Sequence, residues 1–276
     1  MKWTTRERPK VDRPDRRGPT ERDAGWIPPA TVRALGDQPR VAPRLTNGLG
    51  AQRPNGLPPY TEATANVRFR DTTRRIQVMA ETTAAVLEAL ALSGLLLKQD
   101  KHLPNVVTLL TGESLHSSWW SHPKGRLIFA VLSELSDHPD VLFTKLLLRK
   151  VTLVHRRLWP ALLAVASASE PWQLQGLGQS AQHLLGTVNE SKVPLRSSGH
   201  AVKELELRLL VRSEAVHTET GRHATALETW SAWARRASVT PLRSSLLGRQ
   251  QLATAANALG APPSALPWSA GRSATT

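Results

Sequence analysis

The chain has 276 residues, of which 36 are Lys or Arg and 22 are Asp or Glu, so its formal net charge is +14. This balance favours a polyanionic partner, nucleic acid or an anionic membrane surface, although a GC-rich coding bias would also raise the Arg content. The absence of cysteine excludes disulfides, thiolate metal sites and cysteine nucleophiles. The N-terminus lacks the apolar segment of a secretory signal, and the longest apolar stretch is too short to span a bilayer. These features predict a soluble cytoplasmic protein without a membrane partner.

Both ends of the chain are predicted to be disordered. Residues 1–70 contain 14 Lys and Arg, 7 Asp and Glu and 10 of the 20 prolines, without a sustained helical or strand period. Such a segment buries too little apolar surface to offset its chain entropy. This basic Pro/Arg-rich arm either adds affinity for phosphates or is an extension without a role. Residues 260–276 have a similar character, so the ordered part is expected to span residues 71–259.

Residues 71–178 are predicted to form a helical domain with short strands. The first helix is expected to end at Gly94, and its apolar positions at near-helical spacing are Val78, Ala85, Val86, Leu90 and Leu92. A further helix is predicted in "SHPKGRLIFAVLSELSDHPD", with Ser121 as its cap and Pro123 in its first turn, and with one apolar stripe formed by Leu127, Ile128, Val131, Leu132 and Leu135. Helices are also predicted over residues 140–148 and in "RRLWPALLAVASA". The β-branched residues of "KVTLVH" favour a strand between the last two.

Residues 179–237 have the element order of a winged helix. A helix in "QSAQHLLGTVNESK" precedes the extended "VPLRSSG", a second helix over 200–210 and a β-hairpin. A C-terminal helix is expected over residues 238–259. The predicted fold is therefore mainly α with small β elements: a helical domain followed by a winged-helix unit with a β-hairpin wing. The second helix would enter a major groove of DNA. The candidate DNA contacts in this unit are Lys203, Arg212, His217, Arg222 and His223.

The second helix also carries Glu204 and Glu206. These carboxylates would repel phosphate, which keeps a protein-interaction module as an alternative to a DNA-binding one.

The two hairpin histidines depend on the strand register. A three-residue loop from Glu219 to Gly221 places His217 opposite His223, whereas a two-residue loop places them on opposite faces. Two facing imidazoles can contribute to a zinc site, but the sequence shows no obvious third ligand. No metal site is predicted, and the histidines are expected to contact the DNA backbone or to be exposed.

Two other stretches contain candidate binding residues. Trp119, Trp120 and His122 in "HSSWWSHPKGR" together with His155 form a candidate pocket, in which an aromatic ring stacks on a base or ligand. The alternative is that the tryptophans anchor a helix entry loop in the core.

Basic residues flank the predicted strand in "KVTLVH". Arg149 precedes it, and Arg156 and Arg157 follow it at the start of a helix whose free N–H groups favour anions. These three residues are further DNA-binding candidates, and the alternative is that they are ordinary surface residues of a basic protein.

The segments "GLLLKQDKHLPNVVTLLTGE", "SSWWSHPKGRLIFAVLSEL", "LLLRKVTLVHRRLWPALLAV" and "VKELELRLLVRSEAVHTETGRHATALETWSAWA" resemble a group of bacterial proteins related to the AlkZ-like winged-helix DNA glycosylases. The resemblance covers residues 93–235 and implies a winged-helix unit and a role around DNA. The family's Gln-x-Asp or Gln-x-Gln catalytic motif is not matched, because Gln99 and Asp100 are adjacent and would point to opposite faces of a strand. Gln173-Leu174-Gln175 lies at a different place in the chain, so glycosylase activity is not inferred.

The sequence contains no P-loop, G-x-S-x-G or G-x-G-x-x-G motif. The predicted function is therefore non-catalytic binding of double-stranded DNA through the winged-helix unit, without a cofactor and with a connection to DNA repair. One alternative is a glycosylase-like repair enzyme with its pocket near Trp119, Trp120 and His155. The other is a helical protein-interaction module that does not bind nucleic acid.

Overall fold

The computed structural model describes residues 62–217 and 223–269, with side chains over 77–215 and 225–269. The helices in this part of the chain are α1 (Glu62–Ser93), α2 (Val106–Thr111), α3 (Gly125–Asp137), α4 (Trp159–Ala166), α5 (Pro171–Leu174), α6 (Gln179–Glu190), α7 (His200–Leu207), α8 (Trp230–Ala237) and α9 (Ser245–Ala258). The strands are β1 (Leu95–Leu97), β2 (Val141–Lys145), β3 (Val151–His155), β4 (Leu195–Ser197), β5 (Arg212–His217) and β6 (His223–Glu228). The fold is mainly helical, as predicted.

The strands form two separate antiparallel sheets of three strands each. The first sheet has the order β1-β3-β2, so that Leu153 on the central strand pairs with Leu96 on one side and Phe143 on the other. The second has the order β4-β6-β5, with Leu227 between Leu195 and Ser213. In both sheets the last strand in sequence is central, so β2 and β5 are both edge strands.

The larger hydrophobic core surrounds the first sheet. Helix α1 packs on α3, β1 and β3, and α4 packs on α9 and α8. Almost all of α4 is apolar and buried, which is typical of a helix surrounded by protein on all sides. The crossing of α4 and α9 is close because Gly248 has no side chain: a Cβ there would lie 2.5 Å from the carbonyl oxygen of Ala161.

A smaller core belongs to the unit formed by α6, β4, α7, β5 and β6. Its buried residues come from the helices, the hairpin and the segments beside them: Leu177, Ala181, Val188, Val202, Leu205, Val211 and Leu227. On the second helix Val202 and Leu205 belong to this small core, whereas Leu209 belongs to the larger core and Leu210 is half-buried. Residues 179–228 therefore have a core of their own that contacts the first unit.

Two predicted elements differ from the structure near the first sheet. Helix α1 begins at Glu62, so residues 62–70 are helical and not part of a disordered arm. Three of the five apolar positions predicted on it, Val78, Ala85 and Leu92, are exposed, and only Val86 and Leu90 are buried. The helix predicted over 140–148 is wrong, because residues 141–145 form β2 and residues 147–149 form a single 3₁₀ turn. Pairing of β2 with β3 along its whole length outweighs the helical spacing of its leucines.

The predicted disorder of residues 260–276 is wrong for residues 260–269. Two 3₁₀ turns, Pro263–Ala265 and Pro267–Ser269, follow α9, and Leu266 and Trp268 are buried. The ring of Trp268 meets that of Trp172 edge-on, with centroids 6.0 Å apart. These two large apolar side chains bury enough surface to order a segment whose composition is otherwise typical of a tail.

Candidate nucleic-acid interface

Helix α7 exposes two of its polar side chains to the solvent. Val202 and Leu205 anchor the helix, and His200 and Lys203 are exposed. Exposed Lys192 and Arg196 lie just before it, in the α6–β4 loop and on β4. We call Lys192, Arg196, His200 and Lys203 the α7 surface.

The two carboxylates of α7 are engaged inside the protein. Glu206 accepts hydrogen bonds from Lys145 Nζ at 2.5 Å and from Ser213 Oγ at 2.6 Å. Glu204 accepts from the backbone N–H of Gly178 at 3.1 Å and lies 3.4 Å from the guanidinium of Arg208. Their charges are therefore compensated by partners within the fold, which the sequence alone did not indicate.

Arg212, a predicted DNA contact, lies at the base of the hairpin. Its NH1 donates to Glu214 at 2.6 Å and to Glu228 at 2.9 Å. Glu228 is buried and also accepts two hydrogen bonds of 2.7 Å from Arg236. These hydrogen bonds raise the pKa of Arg236 above its ordinary value, against the opposing effect of burial. Arg212 is therefore held by two carboxylates.

The register of the hairpin pairs His217 with His223 across β5 and β6. This is the register of the three-residue loop, the first of the two alternatives. Arg222 and the other tip residues, 218–222, lie outside the described residues. Within residues 62–217 and 223–269, no group of three or more His, Asp or Glu side chains is placed to hold a metal ion.

The three arginines around β3 do not form one patch. Arg149 precedes the strand, in a 3₁₀ turn where its φ is 59°, and Arg156 follows the strand at the other end. Five strand residues separate these ends by roughly 17 Å. Arg157 donates to the carbonyl oxygen of Leu92 at 2.8 Å, and Arg156 lies 3.6 Å from Asp140. These three DNA-binding candidates therefore lie at the two opposite ends of β3.

The predicted pocket is also divided. Trp119 is buried and stacks on Trp120, whose exposed fraction is 48%, with ring centroids 4.0 Å apart. Both tryptophans lie before the N-terminus of α3, which has 13 residues. His155 pairs with Val141, which lies after the C-terminus of α3. A helix of that length spans about 20 Å. His122 bonds to Glu113 at 3.1 Å. Trp119 is thus a core anchor, as the alternative interpretation had it, and Trp120 is an exposed ring.

His155 has a structural role at the end of β3. Its Nδ1 accepts from the backbone N–H of Arg157 at 3.3 Å and caps the following 3₁₀ turn. Burial lowers its pKa, and the positive charges of Arg157 and His138 act in the same direction, against Asp140. A neutral imidazole is what this cap requires, because the ring nitrogen must accept the bond.

Gln99, Asp100 and Gln173, which were compared with the glycosylase catalytic motif, make hydrogen bonds that hold the fold together. Gln173 is fully buried and donates to the carbonyl oxygens of Ala166 and Arg208, both at 3.2 Å. Burial would raise the pKa of Asp100, but hydrogen bonds from Lys150 and from two backbone N–H groups outweigh it and lower that pKa to about 2. Gln99 donates to the carbonyl oxygen of Ser117 at 2.9 Å.

The chain matches no protein-family model, no curated protein and no solved structure. Of the helices described, none combines the length and the apolar composition needed to cross a membrane.

Proposed function

We propose that residues 179–237 form a winged-helix-like unit that binds double-stranded DNA without catalysis, through the α7 surface. The observation that supports this most is the division of charge on α7: its carboxylates are compensated internally, and its exposed residues include Lys203 and His200. The three-stranded sheet with β6 in the centre also agrees with a hairpin wing beside the helix.

The α7 surface has the composition expected for contacts with phosphates. Helix α7 has eight residues and is about 12 Å long, which suits insertion into a major groove. Lys192 and Arg196 lie just before its N-terminus and would contact the DNA backbone. Most of this binding energy would come from release of counterions, so the affinity should fall steeply as salt rises.

The test is the salt dependence of binding to a fluorescent DNA duplex, measured by anisotropy between 50 and 200 mM salt. Replacing Lys192, Arg196 and Lys203 with Gln should lower the slope of log K against log salt by about 0.9 for each phosphate contact removed. The control replaces Lys101, Arg126 and Arg243 with Gln, which removes the same charge from exposed positions elsewhere. The control should keep most of the wild-type slope.

Two results would contradict the proposal. One is wild-type binding that does not weaken with salt. The other is an equal loss of slope in the α7 variant and in the control, which would mean that only the net charge of the chain matters. In the hairpin, Arg222→Gln should remove about one further phosphate contact if the wing touches the backbone.

A further inference from the structure

A cleft lies between the two sheets, where their edge strands β2 and β5 approach each other. Its volume is about 170 Å³. Phe143, Lys145 and Val151 lie on the first-sheet side, and Glu206 and Ser213 lie on the other. We call this the interstrand cleft. The sequence did not predict this cleft, because the residues of its two walls are about 60 positions apart along the chain.

Charged groups of both signs line the interstrand cleft in equal number. Lys145 and Arg212 are the cations, and Glu206 and Glu214 are the carboxylates, so the lining has no net formal charge. The ion pair between Lys145 and Glu206 joins the two walls. A ligand with one charge only would find a like charge beside every favourable contact.

The same groups keep hydrogen-bonding capacity beyond their internal pairs. An ammonium has three donors, and Lys145 uses one of them on Glu206. Each oxygen of Glu206 accepts one bond and retains a second lone pair. The Nε of Arg212 is buried and has no hydrogen-bond partner among the described residues. Because this atom has almost no accessible surface, a ligand in the cleft would bond to the terminal nitrogens of the Arg212 guanidinium and not to Nε.

The remaining lining is apolar and limits the size of a ligand. Its apolar members come from the edge strands and from β3: Val141, Leu142, Phe143, Val151 and Ala215. A cavity of about 150 Å³ holds a benzene molecule, so the interstrand cleft suits a ligand of roughly six to nine non-hydrogen atoms. The ligand therefore needs a small apolar part in addition to its charges.

We propose that the interstrand cleft binds a small zwitterion with an aliphatic side chain, an α-amino acid the size of valine. Its ammonium group bonds to Glu206 and Glu214, and its carboxylate to Lys145 and Arg212. This site is independent of the proposed DNA contact.

Calorimetric titration of the full chain with L-valine tests the proposal, together with two analogues that each lack one charge. These are 3-methylbutanoate, which has no ammonium group, and 2-methylpropylamine, which has no carboxylate. L-valine is expected to bind with a Kd of about 1 mM or below, and each analogue at least about tenfold more weakly. Binding of either analogue as tightly as L-valine would overturn the proposal. So would the absence of L-valine binding at a ligand concentration about ten times the expected Kd.

A variant locates the site without disturbing the fold. Glu214 is half exposed on the cleft wall, so Glu214→Gln should leave the thermal unfolding midpoint nearly unchanged. The variant should bind L-valine about tenfold more weakly than the wild type does, and it should bind 3-methylbutanoate equally well or slightly more tightly. Glu190→Gln, an exposed residue that does not line the cleft, is the matched control and should bind L-valine like the wild type. Equal affinity of the Glu214 variant and the control would place the ligand elsewhere and overturn the assignment.

Discussion

Lys98 destabilises the fold at neutral pH, and its replacement by Met should therefore stabilise the protein. Lys98 follows β1, is half-buried and has no hydrogen-bond or ion-pair partner for its ammonium within the described part of the chain. Burial, followed by the charge of Lys145, lowers its pKa from 10.5 to about 8. Between these two pH values the unfolded chain holds a proton that the folded chain has lost, so stability rises with pH across this window.

The size of the effect follows from the shift in pKa. The pKa of Lys98 falls by roughly 2.5, which corresponds to about 3 kcal/mol. At pH 7 Lys98 is protonated in both the folded and the unfolded chain, so burying its charge lowers the free energy of unfolding by this amount. Met keeps the unbranched apolar stem without the charge. Lys98→Met should therefore raise the free energy of unfolding at pH 7 by about 1 to 3 kcal/mol, and this gain should shrink as pH approaches 10.5.

Urea unfolding followed by circular dichroism at pH 7, 8.5 and 10 measures this difference. Lys101→Met is the control, because Lys101 is exposed and three positions away, and it should change stability by no more than about 0.5 kcal/mol. A Lys98→Met variant that is less stable than the wild type at pH 7 would contradict a destabilising charge at this position. So would a gain that is the same at all three pH values.

Four further predictions concern the packing and the buried charges. Asp100→Asn should lower the free energy of unfolding by about 2 kcal/mol at pH 7. Since the pKa of Asp100 is lowered from 3.8 to about 2, the stability difference between the variant and the wild type should disappear in acid unfolding as pH falls through this range. Gly248→Ala should destabilise by about 1 to 3 kcal/mol in thermal unfolding, because its Cβ would meet Ala161 O at 2.5 Å. Gly186→Ala, a helical position with no atom within 4 Å of the added Cβ, should instead stabilise by up to about 1 kcal/mol. Glu228→Gln should cost about 3 kcal/mol in urea unfolding because it leaves two guanidiniums without their buried counter-charge, and a loss below about 1 kcal/mol would contradict that role.

Local sequence patterns were sufficient to predict those elements whose position depends on the spacing of their own apolar residues. The apolar stripe of α3 and the leucines of α4 are buried as the periodicity predicted, and the start of β3 was visible from its β-branched residues. The left-handed φ of 80° at Gly94, just after α1, agrees with the predicted helix end, since glycine adopts that conformation without steric cost. In each case the information lies within a few residues of the element itself.

Only the tertiary structure decided which charges are paired inside the fold and which lie on the surface. Arg212 pairs with Glu228 because the hairpin register places them opposite each other, and Glu206 meets Lys145 because α7 packs beside β2. The same long-range pairing made a strand of residues 141–145, whose own spacing favoured a helix. Composition by itself determined the strong positive charge, because charge is a sum over residues, and the spacing of apolar residues indicated the mainly helical character. The placement of the charges depends on contacts between segments far apart in the chain, and no local pattern encodes those contacts.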